Sequence, residues 1–292
     1  QVLENTQGTA PGIWMERERG ICLLLPGPPR ELRPMFDKVL EERIAPRTHG
    51  QRLFRRVLVV VGRSESHVEE LTYPVYSRWQ LNEPAISTTI LASVGQLEIH
   101  LSTRSDDARE AGRILEDATD ELASVLGKAL VSASGESLEI VVSRLLRKCG
   151  CRIAVAESCT GGLVASRLTD VPGSSAYLLA AWVTYSNEAK VALGVSAEVI
   201  SDRGAVSEDV ARAMAVAARQ RATADYGLGI TGIAGPGGGS VQKPVGTVWF
   251  ALAGRDGIAW CRKFRFSGDR SHIKFQATQT ALDMLRREFE LR

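Results

Sequence analysis

Residues 151–163 read CRIAVAESCTGGL. Apart from Arg152, the run from Cys151 to Ala156 is apolar, the pattern of a strand buried on both faces. Gly161 and Gly162 then break the chain, and LVASRLT (163–169) continues with helical character. A buried strand that turns on paired glycines into a helix is the building unit of open α/β sheets. The turn places an acid, a serine, a thiol and a threonine in succession, Glu157 to Thr160. The first amides of the following helix lack partners and carry the positive end of its dipole. A phosphate and a developing oxyanion are equally welcome at such a turn. The stretch alone therefore leaves two readings level, support for a nucleophile and a phosphate cradle.

Downstream of this unit, strand-like runs at 180–185, 226–233, 245–253 and 257–266 alternate with helical ones at 187–193, 207–224 and 270–289. That alternation predicts a three-layer α/β/α domain. A helix over 133–150, with Ser137 as a possible cap, leads into it, so its bounds are set at 133–292. Residues 52–132 read differently. RRVLVVVG (55–62) is strand-like, SESHVEELTYPVY (64–76) helix-like, and 88–104 a hairpin turning near Gly95. Residues 105–130 form an amphipathic helix whose apolar stripe is Ala111, Ile114, Leu115, Ala118, Leu122 and Val125. This is a small α+β module. In residues 1–48, ICLLLPGPPRELRPMF (21–36) reads as a strand stopped by Pro26-Gly27-Pro28-Pro29 ahead of a helix, the tail of a partial α/β domain. The fold class expected for the whole chain is α/β.

The 292 residues are 44% hydrophobic and 24% charged with a net charge of +2, ordinary for a globular protein. That balance gives no reason to expect nucleic acid or an anionic membrane as partner. No apolar run approaches the roughly 20 residues of a membrane span, and no signal peptide is apparent. Opening on Gln1 rather than Met suggests a fragment or a processed product. Five cysteines (Cys22, Cys149, Cys151, Cys159, Cys261) are few and scattered, and Cys149 and Cys151 are read as too close for a comfortable bridge. A reducing cytoplasm is the expected setting. The four histidines, His49, His67, His100 and His272, are dispersed, so neither a zinc site nor a Ser-His-Asp triad is expected.

A serine nucleophile then needs another base. VTYSNEAK (183–190) offers Lys190, on a helix that Asn187 would cap after a strand closed by Tyr185. The nearby helix N-terminus and partial burial would both pull a lysine below its reference pKa of about 10.4. A plainer reading pairs Lys190 with Glu157 or with a substrate anion. Cys159 is the rival nucleophile if the helix N-terminus activates it, and a packing residue if not. The second rich loop, GITGIAGPGGGSVQKP (229–244), supplies Thr231, Gly232, Gly235 and Lys243 as candidate ligands of a phosphate or carboxamide. Ser207 caps a strong helix. Arg270, near the start of the last one, is either a phosphate clamp or a solvated arginine.

Taken together, AESCTGGL (156–163), VPGSSAYL (171–178), VTYSNEAK, GAVSEDVARAMA (204–215), ITGIAGPGGG (230–239), KPVGTVW (243–249) and FSGDR (266–270) resemble the CinA family. Residues 151–290 resemble its C-terminal nicotinamide mononucleotide deamidase domain. The resemblance implies an amidohydrolase that converts nicotinamide mononucleotide to nicotinate mononucleotide and ammonia without metal or organic cofactor. It implies Ser158 as nucleophile and Lys190 as base, with Thr160, Tyr185 and Thr231 near the site. Gly161, Gly162, Gly232 and Gly235 would lie against substrate or oxyanion, and Arg270 on the phosphate. Residues 1–48 resemble the end of the family's molybdopterin-binding-like N-terminal domain, through GTAPG (8–12) and LPGPPRELRPMF (25–36). That domain is linked to ADP-ribose pyrophosphatase activity, but the glycine-rich and acidic segments that would hold metal and diphosphate are absent here. Residues 52–132 resemble the KH-like middle domain, without its GxxG loop, so RNA binding is not carried over. The expected partner is a small nucleotide, and a homo-oligomer, a dimer, is the expected assembly. The alternatives are a nucleotide-binding regulator without amidase activity, and a pyrophosphatase if the missing part is supplied.

Overall fold

The computed structural model describes residues 1–18, 20–48 and 50–291. They build three sheets. The first is a small antiparallel sheet of β1 (Val2–Leu3), β2 (Gly12–Arg17) and β3 (Gly20–Leu24). Helix α1 (Pro29–Val39) follows the Pro-rich stop and buries Met35 and Val39. Pro29 opens the helix, where its missing N–H costs nothing. Ile13, Met15, Ile21 and Leu24 of this sheet stay exposed.

The second sheet has the order β5-β6-β4-β7. Its strands are β4 (Arg52–Val61), β5 (Ile86–Ser93), β6 (Gln96–Ser105) and β7 (Leu130–Ser132), with α2 (Glu65–Tyr76) and α3 (Ala108–Leu126) on one face. Strand alternation decides what each face meets. Leu58 and Val60 of β4 join Ile99, Leu101, Leu115 and Leu122 in this unit's own core. Val59 and Val61 point the other way and pack with Val131 into the core of the third unit. A buried arginine reinforces that junction. Arg286, 1% exposed, bonds Asp283 at 2.7 Å and Glu290 at 2.8 Å, and donates to the carbonyls of Lys128 and Leu130. Asp107 is the N-cap of α3, its side chain accepting from the Arg109 and Glu110 N–H groups.

The third sheet runs β12-β11-β10-β8-β9 and holds the quoted stretch at its centre. Helix α4 (Leu138–Lys148) precedes β8 (Ile153–Glu157), all five residues of which are buried. After α5 (Leu163–Thr169) come β9 (Leu178–Val183), α6 (Asn187–Leu193), α7 (Ala197–Arg203) and α8 (Glu208–Ala222). The chain ends with β10 (Tyr226–Gly232), β11 (Thr247–Gly254), β12 (Gly257–Arg265) and α9 (Arg270–Glu290). Strand β8 pairs in parallel with β9 and β10, whereas β11 and β12 are antiparallel additions. Ile153 and Val155 face α4, α5 and α9, while Ala154 and Ala156 face α6 to α8. The second face is small by necessity. A Cβ on Gly227 would lie 2.0 Å from the Ala215 carbonyl oxygen, and one on Gly229 2.3 Å from that of Ala211. Alanine-rich α8 thus lies directly on the backbone of β10. The result is the expected α/β class with three layers. Among the described residues no helix is long and apolar enough to cross a membrane.

Several local expectations change. Cys149 and Cys151 are joined as a disulfide in the turn between α4 and β8, because the chain bends there instead of running extended. Ser137 takes the N-cap position of α4 without a side-chain cap bond. Ser186 and not Asn187 caps α6, accepting from the Ala189 N–H at 3.1 Å. Strand β9 ends at Val183, so Tyr185 stands two residues beyond it. Helix α7 was unforeseen, although Ser196 caps it.

Candidate active site

Ser158 is the first residue after β8, at the carboxyl end of the central parallel strands, where open α/β sheets place their ligands. Its N–H donates to the Ile230 carbonyl of β10 at 2.9 Å, and its carbonyl accepts from the Gly161 N–H at 3.1 Å. The backbone is thus fixed on both sides of the side chain. Gly161 and Gly162, at φ +66° and +94°, permit the sharp exit into α5.

The neighbouring acid closes the turn. Glu157, 1% exposed, takes the Gly162 and Val164 N–H groups on one carboxylate oxygen (3.0 and 3.2 Å) and the Ala165 N–H on the other (2.8 Å). A carboxylate at a helix N-terminus satisfies both the unpaired donors and the dipole. This corrects two expectations at once. The amides of Gly161 and Gly162 are spent within the turn rather than on an oxyanion or phosphate, and Glu157 does not pair with Lys190. In Glu157→Gln one oxygen is replaced by an NH2 that confronts an N–H. A loss of about 2–3 kcal/mol is expected, read from the urea midpoint at unchanged m-value.

Lys190 reaches Ser158 from α6. Its Nζ lies 3.1 Å from Ser158 Oγ, 2.8 Å from the Thr184 carbonyl oxygen and 3.3 Å from that of Tyr185. Ser158 is 7% exposed and Lys190 2%. Burial lowers the lysine pKa from its ordinary value, against a smaller opposing pull from Cys159. Cys159 itself is turned away. Its Sγ sits under Gly232, where an added Cβ would lie 2.9 Å from it, and burial pushes its pKa up to about 12. A thiol so held is protonated at neutral pH, so its pull on Lys190 is absent there.

The remaining predicted residues divide between the floor and the rim of the site. Thr160 is fully buried in the turn, and its Oγ1 has no hydrogen-bond partner among the described residues. Thr231, at the end of β10, donates to the Ala205 carbonyl at 2.7 Å and so ties the loop before α8 to the sheet. Gly232 abuts Val248 as well as Cys159. At the rim, Arg270 donates through Nη1 to the Gly235 carbonyl at 2.8 Å and through Nη2 to Tyr185 Oη. The guanidinium therefore joins the glycine loop, α9 and the segment that leads to Lys190. Lys243, expected in the glycine loop's site, is drawn off to the Arg203 carbonyl at 2.7 Å. Glu157 was missed as a functional residue. Its signal was an acid immediately before the serine turn, readable as a cap only once the chain was known to fold back on it.

Residues 135–289 match the family model of the CinA C-terminal domain. A CinA-like protein of Solibacter usitatus is 43% identical over 290 residues, which cover 98% of this chain and 68% of that protein. A putative competence-damage inducible protein of Moorella thermoacetica is 44% identical over 290 residues, with the same coverage. Among solved structures, a competence-damaged protein (CinA) superfamily protein from Klebsiella pneumoniae is 35% identical. It is covered over its whole length, spans 54% of this chain and gives a TM-score of 0.51.

Proposed function

Because the chain belongs to the CinA family, we propose that it is an amidohydrolase of nicotinamide mononucleotide, with Ser158 as nucleophile and Lys190 as its base. The observation that carries this reading is the donor and acceptor pattern around Lys190 Nζ. The carbonyls of Thr184 and Tyr185 can only accept. In the neutral amine they take its two N–H bonds and leave the lone pair directed at the third neighbour, the Ser158 hydroxyl. The hydroxyl then donates to nitrogen, the arrangement a general base requires. No carboxylate hydrogen-bonds Lys190 among the described residues, so no counter-charge there offsets the cost of burying its ammonium form.

The chemistry follows in two halves. Ser158 Oγ attacks the carboxamide carbon as Lys190 accepts its proton. The tetrahedral intermediate collapses, Lys190 returns the proton to the departing nitrogen, and ammonia leaves an ester on Ser158. Water then attacks the ester with Lys190 again the base, and nicotinate mononucleotide is released. Thr160, whose buried hydroxyl is uncommitted, orients the reacting group. Arg270, on the open side, meets the phosphate.

The test is direct: the chain is incubated with nicotinamide mononucleotide, and ammonia and nicotinate mononucleotide are measured together. Equal amounts of both are expected. Binding of the nucleotide without either product would favour a regulatory role, and AMP released from ADP-ribose a pyrophosphatase. Cys159→Ala should retain turnover within about threefold, since Cys159 only packs and small apolar trimming is mild. A loss as large as that of a nucleophile would move the assignment to the thiol.

A further inference from the structure

We infer that Lys274 is a second cation, beside Arg270, for the substrate's phosphomonoester. The inference rests on the amidase reading of Ser158 and Lys190. Arg270 and Lys274 are four residues apart on α9, which puts them on one face of the helix, their Cβ atoms about 5–6 Å apart. That face leans over the serine turn. Lys274 Nζ lies 3.4 Å, and its Cε 3.7 Å, from the position a Cβ on Gly161 would occupy. The ammonium therefore stands beside Gly161, an exposed residue of the turn that follows Ser158.

The charges around the turn leave this role to few others. Three of the amides at the N-terminus of α5, those of Gly162, Val164 and Ala165, are already held by Glu157. Arg167 is engaged with Glu139 at 2.6 Å and Gln279 at 2.5 Å. Lys243 is held by the Arg203 carbonyl and Lys190 by Ser158 and two carbonyls. Arg270 is anchored at the rim on Gly235 and Tyr185. The Lys274 ammonium, half-buried, has neither a hydrogen-bond nor an ion-pair partner among the described residues. A half-buried cation without a counter-ion, one helical turn from an anchored guanidinium, suits a doubly charged phosphate with oxygens for both.

The experiment compares nicotinamide mononucleotide with nicotinamide riboside, which lacks the phosphate, in wild type, Lys274→Met and Lys274→Arg. In Lys274→Met, kcat/KM for the mononucleotide should fall about ten- to a hundredfold, the loss of one charge-assisted contact, and the fall should lie in KM. The value for the riboside should stay within about twofold, and Lys274→Arg should recover most of the loss. Inhibition by inorganic phosphate should weaken in Lys274→Met, a readout that does not depend on how fast the riboside reacts. Equal losses for both substrates would place Lys274 at the oxyanion or in the structure, and would overturn the inference. No loss for either would overturn it too. A wild type that releases no ammonia from the mononucleotide would instead overturn the amidase reading beneath it.

Discussion

Ser158→Ala is expected to keep its fold and to lose roughly ten-thousand-fold or more in kcat for nicotinamide mononucleotide, the scale seen when a covalent nucleophile is removed. The fold should survive because, among the described residues, the serine side chain bonds only to Lys190, while its backbone is held by Ile230 and Gly161. Lys190 retains its two carbonyl partners in the variant. No neighbour can take over the attack. The Cys159 sulfur faces Gly232 with its pKa raised to about 12, and Thr160 is wholly buried. Thermal unfolding and ammonia release, measured on the same preparation, separate loss of chemistry from loss of structure. Turnover near that of the wild type would remove Ser158 from the mechanism.

Lys190→Met should lower kcat about a thousandfold or more, within the range for a general base that is used in both halves of a reaction. Methionine fills a similar volume without burying a charge, so the protein should remain folded. The wild-type pH profile gives the same assignment its sign. The active lysine is neutral, and burial lowers its pKa. Activity should therefore be lost as pH falls through that lowered pKa, and should reach its plateau on the alkaline side before the ordinary lysine range is attained. Lys190→Arg should be as inactive as Lys190→Met at every pH, because guanidinium stays charged. A profile that rose on acidification would require the ammonium as the working form.

Much of this was legible in the chain because the decisive contacts are local or periodic. Buried strands alternating with helices are written into 151–289, and one α-helix and one strand separate Ser158 from the helix that carries Lys190. What escaped depends on how the chain returns on itself. Glu157 has the composition of a salt-bridge partner, and only the tight fold of the Gly161-Gly162 turn brings three amides to its carboxylate. Lys243 lies in a glycine loop whose path carries it to Arg203, a destination no local pattern encodes. The outward face of β4 was likewise invisible as an interface. Val59 and Val61 alternate with Leu58 and Val60 in an unbroken apolar run, so nothing in the run separates a core face from a docking face. The Cys149–Cys151 bridge turned on chain direction, since a bend brings together what an extended strand holds apart.

The central claim, that Ser158 carries the acyl group, is tested most directly by acid-quenching wild-type protein during turnover of nicotinamide mononucleotide and mapping the modified peptide by mass spectrometry. The expected result is the nicotinate mononucleotide ester on Ser158, absent from Ser158→Ala. The same acyl group found on Cys159, or on any other side chain, would contradict it.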